Sequence, residues 1–273
     1  MSSYVAIQRS LHKDAGYSSV VNLSFADEMT TVPLLKEELA LVIQHMCVGF
    51  QKNERAGEEV FELVGLQSLT LNKNYFLLPD GRWLGGYKPA FYRGYPFALQ
   101  PNAENSQLEL CIKCDCIISE PTERDLRFFA TDLTPMPWLQ GMGKLLSDTT
   151  RSRDETNALC RSLQDAGLIT PWKIKFEEKD ESNNPQSKSL DGLFHIDDTA
   201  LKFLPDDQVV ALHKSGAMSL VYGQMYSEPR LRDLRTLHAA YQKLEEQKSM
   251  PVASTAEPDL ESLFGANEDL FSF

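Results

Sequence analysis

The apolar residues of this chain change their spacing partway along it, and that change limits the folds open to it. Through residue 118 they recur largely at strand spacing, and from Pro135 onward at helical spacing. In the first part, residues 60–66 and 74–78 are strand-like runs. Pro79-Asp80-Gly81 supplies a turn, since proline presets φ and glycine accepts positive φ, and 82–87 is then the returning strand. Residues 108–118 predict a further strand, whose alternation puts Leu110, Ile112, Cys114, Cys116 and Ile118 on one face. Between the early strands, Leu35, Leu39, Val42 and Met46 sit at helical spacing, and 46–50 reads as the strand that follows.

In the second part, Leu139, Met142, Leu145 and Leu146 form one helical stripe, and Leu159, Cys160 and Leu163 form another. The polar residues 147–157 between them are either an exposed helical span or a break. Gly167 stands where a left-handed helix cap belongs. Residues 172–176 and 190–196 predict two strands of a hairpin, with the charged stretch 177–189 looping out between them. Helices follow over 205–213 and 217–226, around Gly216. A last one opens at Glu228-Pro229 and runs to about residue 246. The expectation is an α+β fold, with a mainly antiparallel, β-rich part over 12–118 and a helix-rich part over 135–247 that carries one hairpin. Residues 1–247 are expected to form a single globular domain, and 248–273 a disordered acidic tail.

A chain of 273 residues, 42% of them hydrophobic, can bury a core large enough to need neither metal nor disulfide. The formal charge of -12 comes without any Lys/Arg cluster, which argues against nucleic acid as a partner. No apolar run reaches 18 residues, so direct membrane insertion is not expected. Residues 1–14 lack the basic-then-apolar layout of a signal peptide, and five cysteines are an odd number. Free thiols in the cytoplasm fit these facts best.

The most distinctive stretch is DGRWLGGYKPAFYRGYPF, residues 80–97. With TPMPWLQ (134–140), GLITPW (167–172), LDGLFHIDDTALKFLPD (190–206) and LHKSGAMSLVYGQMYS (212–227), it resembles the SapC family of bacterial proteins. The resemblance runs from about residue 12 to 245 with the segments in order. It implies a role around surface-protein export or uptake, and it supplies no catalytic residues to carry over.

Arg82, Trp83, Tyr87, Tyr92, Arg93 and Tyr95 of that stretch are the candidate binding residues. Planar aromatics beside guanidinium groups can hold a peptide or a carboxylate by stacking and paired hydrogen bonds. The same residues can equally make a structural turn whose rings fill a core. Cys111, Cys114 and Cys116 have a metal-like spacing, but no fourth ligand is in view, so they read as small core residues and no metal or other cofactor is expected. His195-Ile196-Asp197 has the form of an iron-binding pair, although Asp197 or Asp198 is better read as the cap of the next helix. No nucleophile elbow and no phosphate loop is present.

After Lys248 come five acidic residues and no basic one. There Leu260, Leu263, Phe264, Leu270, Phe271 and Phe273 are interleaved with acids, a pattern that can dock on a partner or fold back on its own domain. The function expected from all this is an accessory protein recognising a polypeptide client, or a secretion or uptake component. The alternative is an enzyme acting on a peptide or small metabolite.

Overall fold

The computed structural model describes residues 3–20, 22–55, 57–102, 104, 107–179 and 185–249, and the fold is α+β. Its strands are β1 (Tyr4–Ala6), β2 (Gly16–Ser18), β3 (Thr31–Pro33), β4 (Val48–Arg55), β5 (Glu58–Leu66), β6 (Phe97–Pro101), β7 (Leu108–Lys113), β8 (Asp125–Arg127), β9 (Ile169–Lys179) and β10 (Pro185–Ile196). The helices are α1 (Arg9–His12), α2 (Leu39–Val42), α3 (Ala90–Arg93), α4 (Pro137–Asp165), α5 (Asp198–Lys202), α6 (Asp206–Ser215), α7 (Met218–Ser227) and α8 (Leu231–Ser249). Every named strand pairing is antiparallel.

The described chain divides into two compact units, one from Met1–Asn22 and Ala90–Asp154, the other from Leu23–Pro89 and the residues after Asp154. The first unit holds a sheet in the order β1-β7-β6 and the pair β2-β8. Its core gathers Ala15, Tyr17, Phe97, Ile112, Phe128, Phe129 and Leu139. Tyr17 meets the Phe97 ring edge-on at 4.8 Å, the arrangement that ring quadrupoles favour.

The second unit is built on a five-stranded sheet, β3-β5-β4-β10-β9. Phe61, Leu63, Val64 and Leu66 of β5 are all buried, as an inner strand of a covered sheet requires. Helix α7 is fastened to the sheet by polar side chains. Ser227 Oγ accepts from Val48 N at 2.9 Å, and Gln224 Oε1 accepts from Ile196 N at 3.1 Å. Gly216 closes α6 at φ 88°, a conformation that glycine adopts without a Cβ penalty.

One open alternative is settled and three local expectations are revised. The polar residues 147–157 do not interrupt α4, which runs unbroken for 29 residues. Residues 35–45 give a 3-10 turn and a single turn of α2 instead of one continuous helix. The returning strand at 82–87 reduces to one bridge, Leu77 to Trp83. Among the described residues of 177–189 the chain is strand: β9 extends to Lys179 and β10 begins at Pro185, the two paired out to these residues. Charged residues suit that hairpin end because Lys188 forms an ion pair with Glu178 across the strands.

Candidate functional site

The unit boundary at Pro89 and Ala90 falls inside the aromatic motif, so Arg82, Trp83 and Tyr87 belong to one unit and Tyr92, Arg93 and Tyr95 to the other. In the first group the polar atoms meet internal partners. Arg82 Nε donates to Asp80 Oδ2 at 2.6 Å, which holds the Asp80 carboxyl below the usual carboxylate range. The Trp83 indole stacks on Phe76 at 5.4 Å and donates to the Tyr87 carbonyl at 3.1 Å. Tyr87 Oη donates at 2.9 Å to Glu38, a buried carboxylate whose other oxygen accepts from Leu35 N. These are the contacts of a folded turn.

In the second group Tyr92 is buried, Arg93 is exposed and Tyr95 is half-buried. Tyr95 Oη lies 3.9 Å from Cys116 Sγ, and the Lys113 ammonium stands 5.3 Å above the Tyr95 ring. Burial, then the neighbouring Cys116, pushes the Tyr95 hydroxyl up from its ordinary value.

The cysteines do not converge. Strand β7 stops at Lys113, and Cys114-Asp115-Cys116 make a 3-10 turn, closed by Ile117 N donating to the Cys114 carbonyl at 3.3 Å. Cys111 is therefore buried as a core residue, whereas Cys114 is exposed, contrary to the burial expected from strand alternation. Cys160, packed inside the second unit, has its thiol pushed up to about 12 by burial. Among the described residues no group of three or more His, Cys, Asp or Glu side chains is placed to hold a metal ion.

His195 and Asp197 also part company. Asp197 Oδ1 accepts from Thr199 N and Ala200 N, both at 2.9 Å, which makes it the N-cap of α5. His195 stacks flat on Trp172 at 5.1 Å and places Nδ1 3.2 Å from Glu228 Oε1. The tail residues Leu260, Leu263, Phe264, Leu270, Phe271 and Phe273 lie outside the described residues.

A cavity lies elsewhere, between β9 and α8. Strand β9, 11 residues long, is the last of its sheet, so among the described residues its outer edge has no strand neighbour. A cleft of about 620 Å³ separates this region from the α8 face that carries Arg235, His238, Ala239 and Gln242. Those positions fall at i, i+3, i+4 and i+7, one face of a helix. The sheet side of the cleft carries Lys175, Phe176, Glu177, Glu178 and Ser187. Arg235 Nη2 donates to the Lys175 carbonyl at 3.3 Å, so that backbone group is turned toward α8.

Behind this lining the helix wall is held firmly. His238 Nδ1 shares a hydrogen bond of 2.7 Å with Tyr75 Oη, which also lies 2.8 Å from Thr70 Oγ1. Tyr241 Oη donates to the Leu77 carbonyl, and the Tyr75 and Tyr241 rings pack at 4.9 Å. The Phe176 ring meets His238 edge-on at 5.1 Å. The cleft thus combines a helix face, the last strand of a sheet, two cations, two carboxylates and a small apolar floor. That arrangement can take an extended chain along the strand. The sequence signal for its helix wall was the stripe Leu234, Leu237, His238 and Tyr241, with Arg235, Ala239 and Gln242 at its flank.

The SapC family profile matches residues 7–234 of the chain. No curated protein and no solved structure matches it. The matched region takes in the sheet wall of the cleft and ends within the first turn of α8, just ahead of Arg235.

Proposed function

Because the chain belongs to the SapC family, we propose that it is an accessory protein that binds a polypeptide client in the β9–α8 cleft. The observation that carries this reading is an open cleft lined by the long last strand of a sheet and by one face of a helix. An extended peptide gains main-chain hydrogen bonds by adding to such an edge, and alternate side chains then fall into the groove beside it. With Glu178 paired to Lys188, Lys175 and Arg235 outweigh Glu177 in the lining and give the cleft a preference for a segment with acidic side chains. The client is a surface protein or a component of secretion or uptake, met in the cytoplasm, where the five free cysteines remain thiols. In this reading Arg82, Trp83 and Tyr87 shape the fold rather than capture the client, which their internal partners support.

A second reading, an enzyme acting on a peptide or small metabolite, has one observation in its favour. His238 lines the same cleft with Ser187, and its ring orientation is fixed by Tyr75. The imidazole is only 5% exposed, which favours a structural part for it over proton exchange with a bound substrate.

The test is binding of the full chain to an array of labelled 12-residue peptides, with affinities of the captured ones measured by fluorescence anisotropy. Capture is expected to favour acidic, aromatic-containing peptides. Arg235→Glu and Lys175→Glu, both at exposed side chains, are each expected to weaken it at least tenfold while circular dichroism stays unchanged. Capture that survives both substitutions in folded protein overturns the assignment of the cleft. Turnover of a peptide, lost on His238→Gln, would favour the enzyme.

A further inference from the structure

We propose that the occupant of the β9–α8 cleft includes the chain's own residues 259–273, DLESLFGANEDLFSF, which compete there with the client. This inference rests on the cleft being a polypeptide site. Three observations carry it: chemistry, register and reach.

The segment contains Asp259, Glu261, Glu268 and Asp269 and no basic residue. The cleft is lined by Lys175 and Arg235, with exposed Lys173 two residues along β9 and exposed Lys243 next to Gln242 on α8. Glu178 is already paired with Lys188, which leaves Glu177 as the acid that opposes an acidic guest. Charge therefore favours this guest over a neutral one.

In an extended strand successive side chains alternate between faces. Within Asp269-Leu270-Phe271-Ser272-Phe273, Phe271 and Phe273 then share a face and can be directed at the apolar floor of Phe176 and Ala239. Asp269 shares that face, within reach of a flanking cation.

Helix α8 forms one wall of the cleft and continues from Gln242 to Ser249, about 10 Å at 1.5 Å per residue. Residues 250–258 can span up to about 30 Å when extended, several times what is needed to turn back alongside the helix. A guest tethered this closely is present at an effective concentration in the millimolar range. Even a weak intrinsic affinity then keeps the cleft occupied until a better client displaces the tail.

The experiment compares the full chain with the full chain carrying Phe271→Asp and Phe273→Asp. Amide hydrogen exchange across 169–179 is followed for both, and both are titrated with a fluorescein-labelled synthetic 259–273 peptide. The substituted chain is expected to exchange the outer-edge amides of β9 at least tenfold faster. It is also expected to bind the added peptide at least tenfold more tightly than the unsubstituted chain does, and to lose that binding on Arg235→Glu. Equal exchange and equal peptide affinity in the two chains overturn occupancy by the tail. Peptide binding that ignores Arg235→Glu overturns its location in the cleft. If array peptides still bind in an Arg235-dependent way while the 259–273 peptide does not, only this inference fails. Should neither chain capture any peptide, the cleft reading fails with it.

Discussion

At the scale of single residues, Tyr75 shows how a side chain far from the aromatic motif organises the candidate cleft. It is 1% exposed, and its hydroxyl serves Thr70 Oγ1 and His238 Nδ1 together. Tyr75→Phe keeps the ring packing and removes the oxygen, which leaves the buried His238 and the half-buried Thr70 short of a partner they now have. A loss of that kind costs roughly 1–3 kcal/mol, and urea unfolding of the variant is expected to fall in this range. An unchanged stability would show that Thr70 and His238 find other partners. The sequence did not disclose this role, because a tyrosine in a strand-like run reads as ordinary core. Trp83 and Tyr87 make the converse point. Their density drew attention to residues 82–97, but aromatics satisfy a folded turn as readily as a binding face, and only the stacking of Trp83 on Phe76 and the Tyr87 bond to Glu38 reveal the turn.

At the scale of elements, hydrophobic spacing located most segments and left their extents and partners open. The hairpin β9–β10, the caps at Gly167 and Gly216 and the helix opened by Asp197 were all legible, since each rests on a local signal. The position of β9 at the sheet edge was not legible, because strand order follows from long-range pairing that no window of sequence contains. The same limit hid the approach of α7 to α2. A Cβ built on Gly223 would come within 2.7 Å of Leu39 Cγ, and Leu39 is itself buried. Gly223→Ala therefore sets two effects against each other. Helix propensity gains roughly 1 kcal/mol, while overpacking a filled core costs about 1–3 kcal/mol. The contact involves the Cγ branch point of the leucine as well as both of its end methyls, so turning a methyl aside does not relieve it and overpacking is expected to win. Thermal unfolding of the variant should begin at a lower temperature, and a raised midpoint would mean that α7 can shift to make room.

At the scale of the whole molecule, the α+β class and the family were both within reach of the sequence, whereas the division into two units was not. The boundary is crossed near Asn22, Pro89 and Asp154, so neither unit is one continuous stretch of chain. No composition shift or linker marks these points, and the last lies inside α4, where the backbone hydrogen bonds continue. A helix that runs on through the boundary makes separate unfolding costly, because releasing one unit frays the helix that the other retains. Residues 1–247 are therefore expected to unfold as one domain. Differential scanning calorimetry of the full chain should give a single transition, with calorimetric and van't Hoff enthalpies in agreement. Asp154→Pro tests the reason for it. Asp154 is exposed, so the substitution disturbs little packing, but a proline inside a helix costs about 3 kcal/mol and interrupts its hydrogen bonds. If α4 couples the units, the variant should broaden or split the transition. Two resolved transitions in the unsubstituted chain would instead make the units separate domains, joined by the helix without being coupled through it.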